Sequence, residues 1–245
     1  MGIDGLNVEL INSKVAQYWR VIVTEETTST QIDLANNFHP GDVLVAEFQS
    51  AGRGRLDRKF IVPPRKGLTF SCAIDLTGPI LEDINWIPLI AGVATARAIN
   101  EYFQQKLVQL KWPNDLLIEG KKVGGILSER INFGEVGGVI VGIGLNVFQS
   151  TEELPISDSV SLHMFGEVDR NQLLIKILNH LGHSIMQIPL EKDNYRANCA
   201  TIGNLVRAEL PGGQLIEDQA IGISENGSLL LRSREVSVAD IVHLR

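Results

Sequence analysis

Hydrophobic positions that alternate with polar ones, or run together in short stretches, predict a series of strands in the first two thirds of the chain. The predicted strands are residues 21–25, 42–49, 67–76, 108–118, 123–130 and 136–147. Val, Ile and Leu dominate these segments, as they do in strands generally. Glu119, Gly120 and Lys121 form a plausible hairpin turn between the fourth and the fifth strand.

Two other segments carry apolar residues at helical spacing. Residues 85–103 repeat them at intervals of three and four, with Pro88 in the first turn. Residues 172–188 show the same pattern in Leu and Ile, and a further helix is expected to begin at Thr30. Strands and helices do not alternate regularly. We therefore predict an α+β domain with a mixed or antiparallel sheet rather than a doubly wound fold.

The pattern changes after Tyr195 to short strands separated by glycine-containing turns. This predicts a small all-β module from about residue 201 onward, and we divide the chain into a domain of residues 1–190 and a smaller one of residues 191–245. Residues 50–66 combine glycine, proline and charge without periodicity. They are predicted to be a loop, and a loop of this length is often functional.

Composition narrows the class of protein. The formal net charge of −7 argues against general nucleic-acid binding. Cys72 and Cys199 have no metal-ligand spacing, which favours reduced thiols in the cytoplasm. We see no secretory signal and no apolar run of about 18 residues, so neither export nor a membrane span is expected.

The predicted loop departs from this acidic average, because it contains six cations and a single anion. In Gly52-Arg53-Gly54-Arg55, the glycines allow close backbone approach to a ligand. The two guanidinium groups suit phosphate or carboxylate. The motif taken alone fits a solvated surface loop equally well.

Three further motifs carry candidate chemistry. Lys111 and Asp115 flank Trp-Pro-Asn at a strand end, where they either serve a phosphate and Mg²⁺ or form an ordinary ion pair. Lys122 precedes two glycines that leave room for a ligand against the strand. The strand from Gly142 to Asn146 ends in an amide, and alone it would be a glycine-thinned core strand. His180 and His183 are expected to be surface histidines.

In order and separation, these four motifs together resemble the biotin–protein ligase family, from about residue 21 to residue 245. The resemblance implies a catalytic domain like that of class II aminoacyl-tRNA synthetases, followed by a small SH3-like β-barrel. It also implies activation of biotin by ATP and Mg²⁺ to biotinyl-5′-AMP. The biotin would then be transferred to a lysine of a biotin carboxyl carrier protein.

Two alternatives stay open. A lipoate–protein ligase would share the fold and the two-step chemistry. A biotin-responsive DNA-binding regulator is disfavoured, because about 20 residues precede the first predicted strand and cannot hold a helix-turn-helix domain. An exposed sheet edge would allow a homodimer or receive the acceptor.

The resemblance also assigns roles to residues. Biotin contacts are expected from Ser29, Thr30, Gln31, Gln49, Gly52, Arg53, Gly54, Arg55, Lys122 and Gly125. Nucleotide contacts are expected from Arg53, Arg55, Phe60, Lys111, Asn114 and Asn146. Arg53, Lys111, Asp115 and Lys122 are the expected catalytic residues, with Asp115 the one candidate ligand of Mg²⁺. Phe60 stands where the family usually has Trp, so the shape of the adenine pocket is left open.

Overall fold

Two sheets and the helices packed against them organise the chain. The computed structural model describes residues 3–55, 58–77, 79–132, 137–154, 156 and 158–244. The helices are α1 (Val8–Lys14), α2 (Thr30–Asn36), α3 (Pro79–Glu82), α4 (Ile87–Phe103), α5 (Arg170–Ile185) and α6 (Ile188–Asn198). Short 3₁₀ turns span Ile84–Trp86, Thr151–Glu153 and Leu162–Phe165. None of the helices in these described segments is long and apolar enough to cross a bilayer.

The larger sheet is mixed, as predicted. Its strands are β1 (Arg20–Thr27), β2 (Asp42–Gln49), β3 (Gly67–Asp75), β4 (Val108–Lys111), β5 (Asp115–Ile118), β6 (Lys121–Ile131) and β7 (Gly138–Asn146). Their spatial order is β1-β2-β3-β7-β6-β5-β4. The pair β1–β2 is parallel and the other neighbours are antiparallel.

Both faces of this sheet are covered, because successive side chains of a strand point to opposite sides. On β3, Cys72 and Ile74 belong to the main core, which also includes the apolar residues of α4 and α5. Ala73 between them packs with Leu34 of α2 and with Phe38, which follows that helix. The helix α4 is buried around most of its circumference, because it contacts the sheet as well as α5 and α6.

Two of the predicted elements were wrong. Residues 108–118 are a hairpin of two strands, because Trp112, Pro113 and Asn114 form a turn with a cis Trp112–Pro113 peptide. Residues 172–188 do not form one helix. The helix α5 ends at Ile185 and α6 begins at Ile188. Pro189 lies in the first turn of α6, where a missing N–H is tolerated. The helices α1, α3 and α6 were not predicted.

Other boundaries moved by a few residues. Helix α4 begins at Ile87 rather than at residue 85, after a 3₁₀ turn. The strand predicted for residues 136–147 runs over Gly138–Asn146, and Val136 lies outside the described residues. Helix α6 spans the division drawn between residues 190 and 191, so the position of a domain boundary stays a prediction.

The smaller sheet confirms the predicted all-β module. It contains β8 (Leu205–Glu209), β9 (Leu215–Ile223), β10 (Leu229–Leu231), β11 (Glu235–Val236) and β12 (Asp240–His243). The order is β11-β10-β9-β8-β12, with antiparallel neighbours throughout.

Two tryptophans join the smaller sheet to the larger one. The indole N–H of Trp86 donates to the carbonyl of Glu225 at 2.7 Å, and that of Trp112 donates to Gly227 at 2.9 Å. The backbone N–H of Trp112 donates to Thr201 Oγ1 at 3.0 Å. Because Trp112 follows Lys111 directly, these bonds fix the turn that carries the predicted catalytic cluster.

Candidate active site

A cavity of about 500 Å³ lies over the middle of β6 and β7, beside the loop of residues 50–66, which we call the flap. Every residue predicted for the site lines this cavity except Gly52. The smaller sheet contributes to the wall as well, through side chains that include Arg207 and Asp240. The structure thus gathers side chains from opposite ends of the chain around one space.

Glycines form the floor of the cavity, because side chains from the walls lie directly on the strands. A Cβ atom at Gly142 would stand 2.7 Å from Gln31 Oε1. One at Gly144 would stand 2.5 Å from a ring carbon of Phe60. Both separations are shorter than real contacts, so larger residues at these positions would displace the wall.

Buried hydrogen bonds connect the side chains at one end of the cavity. Gln49 Oε1 accepts from the backbone N–H of Thr30 at 2.8 Å and from its hydroxyl at 3.1 Å. The hydroxyls of Thr30 and Ser71 lie 2.8 Å apart. Ser71 donates to Gln31 Oε1 at 3.0 Å, and Gln31 Nε2 donates to the carbonyl of Ile140 at 3.0 Å. These bonds join four side chains and the β7 backbone into one network at this end.

Sequence reasoning missed Ser71, which lies in the cavity wall. A signal for it exists in the sequence. Thr69 and Ser71 are two hydroxyl residues on the same face of β3, a strand that is otherwise apolar and buried. Buried polar groups need partners, so a pair of hydroxyls in such a strand indicates a polar network or a ligand.

Ser29 stands apart from this network. Its side chain is buried, with 1% of the residue exposed, and its hydroxyl has no hydrogen-bond partner among the described residues. Leaving such a group unsatisfied costs about 1–3 kcal/mol. The hydroxyl lines the cavity and is therefore available to a polar group of a ligand there.

The opposite end of the cavity holds two lysines around one carboxylate. Asp115 Oδ1 lies 2.5 Å from Lys122 Nζ, and Asp115 Oδ2 lies 3.8 Å from Lys111 Nζ. The hairpin brings Lys111 and Asp115 opposite each other in the sheet register. Burial lowers the pKa of Lys111, against the Asp115 carboxylate, which favours its charged form.

The two sides of the flap pair with each other at their described residues. The N–H of Phe60 donates to Gly52 at 2.9 Å, and that of Gly54 donates to Arg58 at 2.7 Å. A Cβ atom at Gly52 would stand 2.1 Å from the Phe60 carbonyl oxygen. Gly52 therefore shapes the base of the flap rather than the wall of the cavity.

The arginines of the flap already have protein partners. Arg53 Nη1 lies 3.1 Å from the carboxylate of Glu129 on β6. Arg55 Nη1 donates weakly to Asn114 Oδ1 at 3.4 Å. Both guanidinium groups line the cavity and would have to exchange these partners to bind a ligand anion.

Asn146, which is predicted to contact the nucleotide, has its side-chain amide hydrogen-bonded to other residues of the protein. It is 2% exposed, its Nδ2 donates to the carbonyl of Val160 at 3.2 Å, and its Oδ1 accepts from Gln149 at 2.9 Å. The Phe60 ring lies against Gly144 beside it. Asn146 is thus placed to orient this wall, and Phe60 supplies its aromatic surface.

No group of three or more His, Cys, Asp or Glu side chains is placed to hold a metal ion within the described part of the chain. Asp115 is the carboxylate that the two lysines hold at the cavity. A single carboxylate suits Mg²⁺ that arrives with substrate phosphates better than a resident ion in a protein cage.

Comparisons with known proteins agree with this geometry. A family model described as the Biotin/lipoate A/B protein ligase family matches residues 19–146. A biotin–[acetyl-CoA-carboxylase] ligase of Mycobacterium tuberculosis is 36% identical, over 93% of this chain and 90% of its own length. The bifunctional ligase/repressor BirA of Bacillus subtilis is 33% identical, over 87% of this chain and 68% of its own length.

A solved structure shares the fold. The biotin protein ligase from Aquifex aeolicus in complex with biotin and ATP superposes with a TM-score of 0.78 at 29% identity. The match covers 92% of this chain and 98% of that one. The chain belongs to the biotin/lipoate A/B protein ligase family. Within it, the predicted membership of the biotin–protein ligases and the predicted fold class are confirmed.

Proposed function

We propose that this chain condenses biotin with ATP to biotinyl-5′-AMP and then transfers the biotinyl group to a lysine of an acceptor protein. The observation that carries the proposal is the continuity of the cavity. One space joins an unpartnered buried hydroxyl at one end to a cluster of cations at the other. A neutral polar ring and a reacting pair of anions need those two environments side by side.

The buried end suits the ureido ring of biotin. This ring offers two N–H donors and a carbonyl acceptor, and the Ser29 hydroxyl can satisfy one of them. Thr30, Gln31 and Gln49 hold the surrounding wall through their mutual bonds. The glycine floor leaves room for the apolar rings and chain.

In the first step, a carboxylate oxygen of biotin attacks the α-phosphorus of ATP. The new O–P bond forms as the bond to the departing pyrophosphate breaks. The reactants are both anions, so the protein must neutralise their repulsion rather than supply a nucleophile. We assign that role to Arg53, Arg55, Lys111 and Lys122, because preorganised charges of this kind are often the largest catalytic contribution. Mg²⁺ enters as part of the nucleotide substrate, and we propose Asp115 as the residue that contacts it.

In the second step, the neutral amine of the acceptor lysine attacks the acyl carbon of the mixed anhydride, and AMP leaves. We assign the orientation of the amine and the acceptance of its proton to Asp115, the carboxylate between the two lysines. Closure of the flap would exclude water and prevent hydrolysis of the intermediate. Release of biotinyl-AMP by an Arg53→Gly variant with an intact fold would support this role.

The same buried end of the cavity distinguishes biotin from lipoate. A dithiolane ring offers no hydrogen-bond donor or strong acceptor, so it would leave the Ser29 hydroxyl unsatisfied. A site built around such a group discriminates against ligands that cannot pair with it. Pyrophosphate exchange measured in parallel with biotin and with lipoate should therefore show activity with biotin alone.

For partners, we propose a carrier domain of a biotin-dependent carboxylase as the acceptor. Among the described strands, β1 lies at an edge of the larger sheet with no partner on its outer side, which a second copy or the acceptor can extend. The net charge of −7 supports an enzyme that does not bind DNA, and filter binding should stay negative. Cys72 and Cys199 are buried unpaired thiols, which suits the reducing cytoplasm.

The central test is incubation with ATP, Mg²⁺, biotin and a carrier domain, followed by mass measurement of the acceptor. We expect a gain of one biotinyl group at one lysine. Omission of ATP and an acceptor with that lysine changed to Arg are the controls. An acceptor of unchanged mass, with no pyrophosphate exchange in the presence of biotin, would refute the function.

A further inference from the structure

Carboxylates from distant parts of the chain hold the flap in place. Arg53 near its base pairs with Glu129 on β6. Arg58 on the returning side pairs with Asp240, the first residue of β12 in the smaller sheet. The second pair joins residues 182 positions apart, and it connects the flap to a part of the chain outside the larger sheet.

Asp240 is placed inside the site rather than on the outer surface. Its side chain is 20% exposed, whereas that of Arg58 is 68% exposed, and both residues line the cavity. Burial lowers the pKa of Arg55 and of Lys111, while the Asp240 carboxylate favours the charged form of each. One carboxylate of the smaller sheet therefore acts on three cations of the site.

The Arg58 backbone transmits this contact to the rest of the flap. Its carbonyl accepts from the N–H of Gly54 at 2.7 Å, and its own N–H donates to the carbonyl of Arg55 at 3.1 Å. The bond between the Arg58 side chain and Asp240 therefore also restrains the backbone of Gly54 and Arg55. The Arg55 guanidinium then stays beside Asn114 in the cavity.

We propose that Asp240 is a positioning residue for the ligation reaction, which holds the flap over biotinyl-AMP between the two steps by binding Arg58. The inference rests on the proposed function. It assigns the smaller sheet a part in retaining the intermediate, in addition to its contacts with Trp86 and Trp112.

The test measures retention of the intermediate. Enzyme is loaded with labelled biotin and Mg²⁺·ATP without acceptor, excess ligand is removed, and release of biotinyl-AMP is followed over time. Asp240→Asn and Arg58→Gln should each speed release about three- to fivefold, the range that a partly exposed ion pair supports. The KM for biotin should stay unchanged, because the buried network at the other end is intact.

A matched control breaks a similar pair elsewhere. Arg20 and Asp42 are joined at 2.6 Å between β1 and β2, with an exposed arginine and a largely buried carboxylate, and neither lines the cavity. Arg20→Gln should release biotinyl-AMP at the wild-type rate. The charge swap Arg58→Asp with Asp240→Arg should restore retention, which a purely structural role of either residue would not produce.

The outcomes separate the two proposals. Wild-type enzyme that forms no biotinyl-AMP contradicts the proposed function itself. Wild-type enzyme that retains biotinyl-AMP, together with wild-type release from Asp240→Asn and Arg58→Gln, overturns the role of Asp240. Leaky single variants that the charge swap does not restore overturn it too. The Arg58 side chain is largely exposed, so Arg58→Gln should not impair folding. It therefore keeps the test valid if changes at Asp240 do impair folding.

Discussion

The two ends of the cavity are built in opposite ways. At the end proposed for biotin, Thr30, Gln31, Gln49 and Ser71 are buried and bonded to one another. At the flap, half-exposed or exposed arginines pair with carboxylates of other elements. The first end presents groups that are already desolvated and fixed, which lowers the cost of binding. The second end holds its charges on temporary partners that a ligand anion can replace.

The largest effect is expected at Lys122, whose ammonium lies closest to the Asp115 carboxylate. Lys122→Ala removes the cation closest to Asp115 and should reduce the rate of biotin-dependent pyrophosphate exchange by about 10²–10³-fold. Biotin affinity should fall as well, because Lys122 is also an expected contact of biotin. The neighbouring exposed residue provides the control, since Lys121→Ala should behave as wild type. Equal losses in the two variants would contradict a specific role for Lys122.

A second test addresses the floor between the two ends. Gly144→Ala places a methyl group where the Phe60 ring lies and should displace that ring. Overpacking of this size costs about 1–3 kcal/mol, so we expect the KM for ATP to rise roughly tenfold or more. The KM for biotin should rise less. Gly222→Ala is the control, because its Cβ would stand 3.6 Å from the nearest described atom.

A third test separates ligand binding from folding at the buried end. Ser29→Ala removes a hydroxyl that has no partner among the described residues, so thermal stability should not fall. The Kd for biotin, measured by calorimetry, should rise about tenfold. Ser71→Ala should lower stability instead, because it breaks the bond to Gln31. The reverse pattern would mean that the two serines have been assigned the wrong way round.

The smallest effect concerns pH. Lys111 neutralises anions only while it is protonated. The value of kcat/KM for ATP should therefore be high below the pKa of Lys111 and fall as pH rises through it. Because burial lowers that pKa, the loss should occur below the ordinary lysine value of 10.5. Lys111→Arg should move the loss to higher pH, and the Kd for biotin should stay flat over this range. If the loss of kcat/KM occurs at the same pH in Lys111→Arg as in the wild type, Lys111 is not the group that neutralises the anions.

The sequence predicted elements whose pattern is local. The strand at Asp42–Gln49 was placed at its observed bounds, because its hydrophobic pattern ends at a glycine and at the polar flap. The glycine and lysine motifs were found because their residue types are unusual for strands. The turn at Trp112 was missed, since apolar residues continue on both sides and hide the reversal.

Contacts over long sequence separations could not be predicted. Asp240 lies in a short strand with no motif, and its importance comes from its approach to Arg58 across 182 positions. The hydroxyls of Thr69 and Ser71 in a buried strand indicate a polar role, but the bonds of Ser71 to Thr30 and Gln31 arise only in the fold. In both cases the chemistry belongs to a pair, and the pair exists only in the folded chain.

The indole bonds of Trp86 and Trp112 limit how this protein can be shortened. A version ending before residue 200 would leave two buried indole N–H groups and the backbone N–H of Trp112 without their acceptors. Miniaturisation by removing the smaller sheet should therefore abolish the enzyme even though most cavity-lining residues would remain. Any redesign of the smaller sheet should leave the turn at Glu225 and Gly227 intact, because its carbonyls accept from both indoles.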